Sequence, residues 1–299
     1  MRTTQASKTA SWVAAARTFG DFLPSDCRLC QDPYGVRFAE PWLQAVERAA
    51  RRQPAFAGRL LLRGGPATRT VFYMQLRTRF IDDQLALFTR ENPGTQVVLL
   101  GAGYDCRALR LTRELNGAVF YEVDHPATQA VKRGVLAGVG GASPSVRFVP
   151  WNFESEPMTA LAGALAALGH DASRPTITIW EGVTMYLHPP AIEASFAAVR
   201  AYSSPGSRIV FTYFDKERRL ERPSFRGRAL SHLVKSVGEP FRFGWSPAGL
   251  PAWLGARGFR LREDVEDGEL SLRLMPTQHR HWVGREGRRI AVAEPSAAP

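Results

Sequence analysis

Val97-Val98-Leu99-Leu100-Gly101-Ala102-Gly103-Tyr104-Asp105 is the stretch whose reading decides the fold. Four consecutive apolar residues, two of them β-branched, predict a strand covered on both faces, as in the middle of a parallel sheet. Gly101 and Gly103 carry no Cβ, so the chain can bend sharply there and a ligand can lie directly against the backbone. The following Cys106-Arg107-Ala108-Leu109-Arg110-Leu111 has helical spacing, with Asp105 placed to cap it. By itself a Gly-x-Gly turn fits an ordinary strand-to-helix connection as well as a ligand-binding one. A dinucleotide fingerprint adds a third glycine three residues after the second. Here that position is Cys106, which counts against a nicotinamide cofactor.

About twenty residues further on, the spacing at which nucleotide-binding sheets carry an acid, Val119-Phe120-Tyr121-Glu122-Val123-Asp124 predicts a second strand. It ends in acids and is stopped by His125-Pro126. An ionised carboxylate only accepts hydrogen bonds and a ribose diol offers two donors, so the pair of strand ends suits an adenosine ribose. Together the two signals point to a nucleoside cofactor.

With 299 residues, 44% of them hydrophobic and 22% charged, the chain is a folded protein, sized for one large domain with insertions or a domain with a cap. No run reaches the roughly 18 to 20 apolar residues that cross a bilayer, and the first residues lack the apolar core of a secretory signal. The expectation is a cytoplasmic protein without a membrane span. Of three cysteines, Cys27 and Cys30 have metal-knuckle spacing but no second pair to complete a tetrahedral zinc site, and His279 and His281 read as surface residues. No metal is expected. The net charge of +11 suits an anionic partner, although its arginines are scattered, not gathered into one run.

In chain order, Ser7–Thr18 and Pro41–Ala50 predict helices and residues 59–66 a basic loop, so residues 1–67 form an N-terminal helical cover. Residues 68–299 would form the main domain. A helix over Thr68–Glu91 carries Arg77-Thr78-Arg79-Phe80-Ile81-Asp82-Asp83, which reads either as a solvated face or as part of an active site. Beyond it strands and helices alternate, implying right-handed crossovers and a mainly parallel sheet. The third strand, Val146–Val149, leads to Asn152 and Phe153, an amide and an aromatic able to border an adenine. The fourth, Thr176–Trp180, ends in Glu181-Gly182, followed by Tyr186 and the breaker His188-Pro189-Pro190. Asp215–Trp245 holds eight basic and four acidic residues and is too long for a simple connection, so it is expected to be an inserted helical lid. A helix over Ser246–Ala256, a strand near Phe259–Arg262, a terminal hairpin of Leu270–Leu274 with His281–Val283, and a frayed tail over Ala291–Pro299 complete the expectation.

Four motifs in this order and spacing resemble the leucine carboxyl methyltransferase family, in its bacterial branch of S-adenosylmethionine-dependent O-methyltransferases: Arg77–Asp83, Val98–Asp105, Tyr121–Pro126 and Glu181–Leu187. The resemblance covers nearly the whole chain. It implies an α/β fold of class I methyltransferase (Rossmann-like) type, with a mostly parallel seven-stranded sheet whose last strand is antiparallel. It implies S-adenosyl-L-methionine as cofactor, with Gly101, Ala102, Gly103 and Asp105 against the methionine part, Asp124 on the ribose, and Asn152 and Phe153 at the adenine. Glu181 would take the amino group, Arg77 a carboxylate of cofactor or substrate, and Tyr186 would stand near the transferred methyl. The family usually has aspartate where Asn152 stands, and its N-terminal basic residue aligns with either Lys8 or Arg17.

Methylating a carboxylate needs little acid or base, because the acceptor is already ionised near neutral pH. A hydroxyl acceptor needs a base, and no histidine lies in a motif that supplies one. The expected acceptor is therefore a small-molecule or peptide carboxylate. A hydroxyl, a nucleic acid, and a non-catalytic binding protein on the same scaffold stand as alternatives, and the oligomeric state is open.

Overall fold

The alternation of Val97 and Leu99 with Val98 and Leu100 sorts these residues between two hydrophobic clusters, one on each face of the sheet. All four are buried, because β1 (Gln96–Leu100) lies in the interior of the sheet and has no polar face to offer. In the computed structural model, which describes residues 8–296 except 116, 144, 154 and 222–240, seven strands form one sheet. Their spatial order is β3 (Val146–Pro150), β2 (Val119–Asp124), β1, β4 (Thr176–Trp180), β5 (Arg208–Phe214), β7 (Arg288–Pro295) and β6 (Phe259–Glu266). The first five are parallel, and β7 runs antiparallel to both of its neighbours.

On one face the long helix α4 (Pro66–Glu91) buries Leu76, Ile81, Leu85 and Phe88 against Val97, Leu99, Ile177 and Ile179. On the other, Phe196 and Tyr202 of α8 (Pro189–Tyr202) pack with Trp180, Phe211 and Phe259. Ahead of α4 come α1 (Lys8–Phe19), α2 (Pro41–Arg52) and α3 (Pro54–Leu61), and α1 packs on α4. Between strands lie α5 (Arg107–Arg110), α6 (Pro126–Ala137), α7 (Leu161–Ala167), α9 (Leu250–Gly255) and α10 (Asp267–Leu274). No helix among the described residues is long and apolar enough to cross a membrane.

Several local expectations are corrected. The loop expected over 59–66 begins inside α3, which Pro54 starts at its first position and good helix formers continue. Asp105 does not cap a six-residue helix: α5 has four residues and begins after Cys106, while Asp105 Oδ1 accepts from the Arg107 N–H at 2.7 Å. The terminal hairpin is not made by residues 270–274 and 281–283, which lie in α10 and at the end of a 3-10 turn over Thr277–Trp282. Leu270 is buried while Leu272 is 53% exposed, a helical spacing that a strand could not produce. The antiparallel pair is β6 with β7, so residues 291–295 are no frayed tail but part of a strand between two neighbours. Small residues drew attention away from it, yet Ala291 and Ala293 are fully buried because two flanking strands satisfy their backbone. Of the expected lid, residues 217–221 form one π-helical turn, Asp215 bridges to Trp245, and 222–240 lie outside the described residues. His279, read as a surface residue, is mostly covered and meets Asp26 at 3.3 Å.

Candidate active site

The carboxyl ends of β1, β2 and β4 open into a cavity of about 450 Å³. It straddles the β1–β4 boundary, where successive strands change from building one side of the sheet to building the other, the position at which open α/β sheets bind ligands. Thr9, Ala10, Val13 and Arg17 of α1 close it from the opposite side. All ten residues singled out from the sequence line it: Arg77, Gly101, Ala102, Gly103, Asp105, Asp124, Asn152, Phe153, Glu181 and Tyr186.

The turn after β1 is held open by its glycines. Gly101 and Gly103 have φ of +69° and +49°, and a Cβ on Gly101 would stand 2.6 Å from Val183 Cγ2. The Gly101 and Ala102 N–H groups both donate to Val123 O, at 2.8 and 3.1 Å, tying the turn to the end of β2. Asp124 completes the tie, its carboxylate accepting from the Gly103 N–H and, at 2.6 Å, from the His125 N–H. Burial raises the pKa of Asp124, and the two backbone donors offset only part of that. An ionised carboxylate has about four lone-pair sites, so Asp124 keeps acceptor capacity toward the cavity.

Beneath the glycine turn lies an ionic floor. Glu181 Oε1 meets Arg77 Nε at 2.6 Å, and Glu181 Oε2 accepts from Arg107 Nη1 at 2.7 Å. Arg107 also donates to Asp82 at 2.8 Å and to Asp105, and Arg110 donates to Asp82 at 2.7 Å. Burial pushes the Glu181 pKa up, but Arg107, Arg77 and Arg17 together outweigh it and hold the carboxyl well below its usual range. The Arg77 contact is a charge contact and not a directed hydrogen bond, so Glu181 Oε1 has no hydrogen-bond donor among the described residues. Arg17 is anchored beside it, donating to Asp32 at 2.8 Å and to Tyr104 O at 2.7 Å. A second buried pair supports the cradle from behind: Lys132 on α6 donates to Glu122 at 2.6 Å and to Asp105 O.

The rim beyond β4 is built by the 3-10 turn Thr184–Tyr186 and by Leu187, His188, Ala191 and Arg242. Among the described residues two histidines line the cavity, and each has a ring nitrogen engaged. His125 Nδ1 accepts from the Ala127 N–H at 3.2 Å, and His188 Nε2 faces the Arg242 guanidinium, which can only donate.

Residues 10–200 match the family model for leucine carboxyl methyltransferase. The chain belongs to the leucine carboxyl methyltransferase family. A protein of Mycolicibacterium vanbaalenii, assigned by name to the S-adenosyl-L-methionine-dependent methyltransferases, is 36% identical over 244 residues, 77% of this chain and 73% of the relative. One of Streptomyces coelicolor, named likewise, is 36% identical over 213 residues, 68% of this chain and 64% of the relative. Two solved structures share the fold at low identity. A DUF574 family protein of Streptomyces avermitilis has TM-score 0.57 and 15% identity, covering 94% of this chain and 97% of its own. A protein of Thermobifida fusca, titled as a methyltransferase, has TM-score 0.55 and 16% identity, covering 94% of each chain. Membership makes the protein a methyltransferase, with S-adenosylmethionine the donor for which its relatives are named.

Within this methyltransferase, the sequence left open whether Lys8 or Arg17 reaches the site, and Arg17 lines the cavity. It passed over Arg107, Lys132, His188 and Arg242. Lys132 had a legible signal: Thr128, Lys132 and Leu136 make one buried stripe at i, i+4 spacing, so a charge lies on the inner face of α6. Arg107 and Arg242 were harder to read, since Asp82 and Glu181 lie 25 and 74 residues from Arg107 and His188 lies 54 from Arg242 in the chain.

Proposed function

We propose that the protein transfers the methyl group of S-adenosylmethionine to a carboxylate oxygen of a small molecule or peptide C-terminus. The residues present fit the donor. Two acids with spare acceptor capacity, Asp124 and Glu181, face the cavity where a ribose diol and an ammonium would need them, and Arg17 and Arg77 lie where a carboxylate would. When bound, that donor supplies an electrophilic methyl group on a sulfonium.

The chain's own part is alignment. Gly101, Ala102 and Gly103 present their backbone to the cavity, with no room for a Cβ beside Val183 at Gly101, Asp124 accepts from the ribose, and Asn152 and Phe153 border the adenine. Glu181 receives the amino group through Oε1, held in place by Arg107, while Asp105 fixes Arg107 from the other side. Arg77, paired with Glu181 through Nε, has its remaining guanidinium donors for the methionine carboxylate. Tyr186 flanks the acceptor side, and α1 shields the reacting atoms from water. An in-line displacement held this way gains most from orientation and exclusion of solvent.

One observation carries the carboxylate reading: among the described residues, the two imidazoles at the cavity each have a ring nitrogen already engaged, so neither stands as a free base for a hydroxyl, while a cation waits at the rim. The test is a methyl-transfer assay on host extract with labelled donor, fractionated into small molecules, peptides and nucleic acid, then treated with mild base. Base-labile label in the first two fractions is the expected result, and Arg77→Ala should abolish it. Base-stable label, or label in nucleic acid, refutes the reading.

A further inference from the structure

We propose that Arg242, oriented by His188, is the residue that receives the acceptor's carboxylate and gives the enzyme its preference for anionic acceptors. The proposal rests on the carboxyl-methylation reading above and moves the acceptor contact away from Arg77. Among the described residues, three cationic side chains line the cavity apart from its histidines, and two are already matched by acids. Arg17 is paired with Asp32 at 2.8 Å, and Arg77 with Glu181 at 2.6 Å. Arg242 differs, because among the described residues its one side-chain partner is His188, and a neutral imidazole accepts a hydrogen bond without cancelling the charge. A guanidinium with unspent donors at a cavity mouth is the group best shaped to hold a carboxylate.

Its position is built, not incidental. The Arg242 and Phe243 N–H groups both donate to Met185 O, at 2.7 and 3.3 Å, pinning this segment to the turn that carries Tyr186. Phe241 packs against Tyr186 and Phe214, with ring centroids 5.6 and 4.8 Å apart, which fixes the segment on its other side. Topology places this rim over β4 and β5, on the far side of the β1–β4 boundary from the ribose acid at the end of β2. Val13, Leu187 and Ala191 complete the wall, so an acceptor would offer an apolar body behind its anionic end.

The test measures binding in the enzyme saturated with S-adenosylhomocysteine, using 3-phenylpropionate and N-acetyl-leucine against their amides. Charge-assisted hydrogen bonds are roughly twice as strong as neutral ones, so each acid should bind about tenfold more tightly than its amide in the wild type. Arg242→Gln should bring the ratio to near one, and Arg242→Lys should leave an intermediate ratio, since an ammonium is charged but lacks the fork. His188→Leu should reduce the preference and His188→Gln, which still offers an acceptor to Arg242, should restore it. S-adenosylhomocysteine affinity should stay unchanged throughout, which confirms that each variant folds. An acid-to-amide ratio near one in the wild type, or a full preference surviving in Arg242→Gln, overturns the proposal. If wild-type enzyme fails to bind S-adenosylhomocysteine at all, it is the donor assignment that fails; if binding and ester formation hold but Arg242→Gln keeps its preference, only this inference falls.

Discussion

Adding one methyl group at Gly101 should test the cradle more sharply than removing any charge. Gly101 has φ +69°, a left-handed conformation that costs an L-residue roughly 1–2 kcal/mol. The new Cβ would also stand 2.6 Å from Val183 Cγ2, whereas carbon atoms rest at about 3.5–4.0 Å. An overlap of that size is an overpacking defect of about 1–3 kcal/mol. Gly101→Ala should therefore lose about 2–5 kcal/mol of stability, the sum of the two. Val183→Ala deletes the offending Cγ2 and leaves Val183 Cβ at 3.7 Å from the new methyl, an ordinary contact. In the double variant the steric part should vanish and only the backbone part, about 1–2 kcal/mol, should remain. Urea unfolding of the four proteins measures this, and titration with S-adenosylhomocysteine follows the cavity in parallel. Gly101→Ala within about 0.5 kcal/mol of wild type, the range of an ordinary surface change, would refute the reasoning. So would a Val183→Ala partner that rescues nothing.

Two further outcomes follow from the buried charges. Burial raises the Asp124 pKa, so S-adenosylhomocysteine affinity should fall with acidification at a higher pH than for an ordinary aspartate, and calorimetry on Asp124→Asn should show a flat profile there. Stability moves the opposite way through that range, because the folded state holds this proton more tightly and acidification relieves the cost of the buried charge. Lys132→Met would strand Glu122, which is 2% exposed and 2.6 Å from the ammonium, and should cost about 3–5 kcal/mol in urea unfolding. Adding Glu122→Gln should recover part of it, and strict additivity of the two changes would show that the pair is not coupled.

The elements legible in the chain are those whose evidence is local. Val97–Leu100 reads as a buried strand because four apolar neighbours leave no solvated face, and Gly101 reads as a turn because other residues are strained there. Asp124 and Glu181 are legible because a strand end delivers its last residues to one edge of the sheet, so ten residues spread from 77 to 186 meet in one cavity. Strand β7 was not legible: Ala291 and Ala293 carry little β-propensity, and the free energy that makes them a strand comes from β5 and β6 on either side. Helix α10 was misread because Leu270 and Leu272 alternate in sequence while only the first meets the core. The ionic floor belongs to the same class. Arg107 looks like a surface arginine until Asp82, Asp105 and Glu181 are seen around it, and Arg242 acquires a meaning only beside His188. Local pattern sufficed for strand, turn and cradle because backbone sterics and hydrophobic period act over a few residues. Charge pairing acts through space, so the partners that hold Glu181 in place, and the setting of Arg242 beside His188 at the rim, were decided by the packing of distant segments.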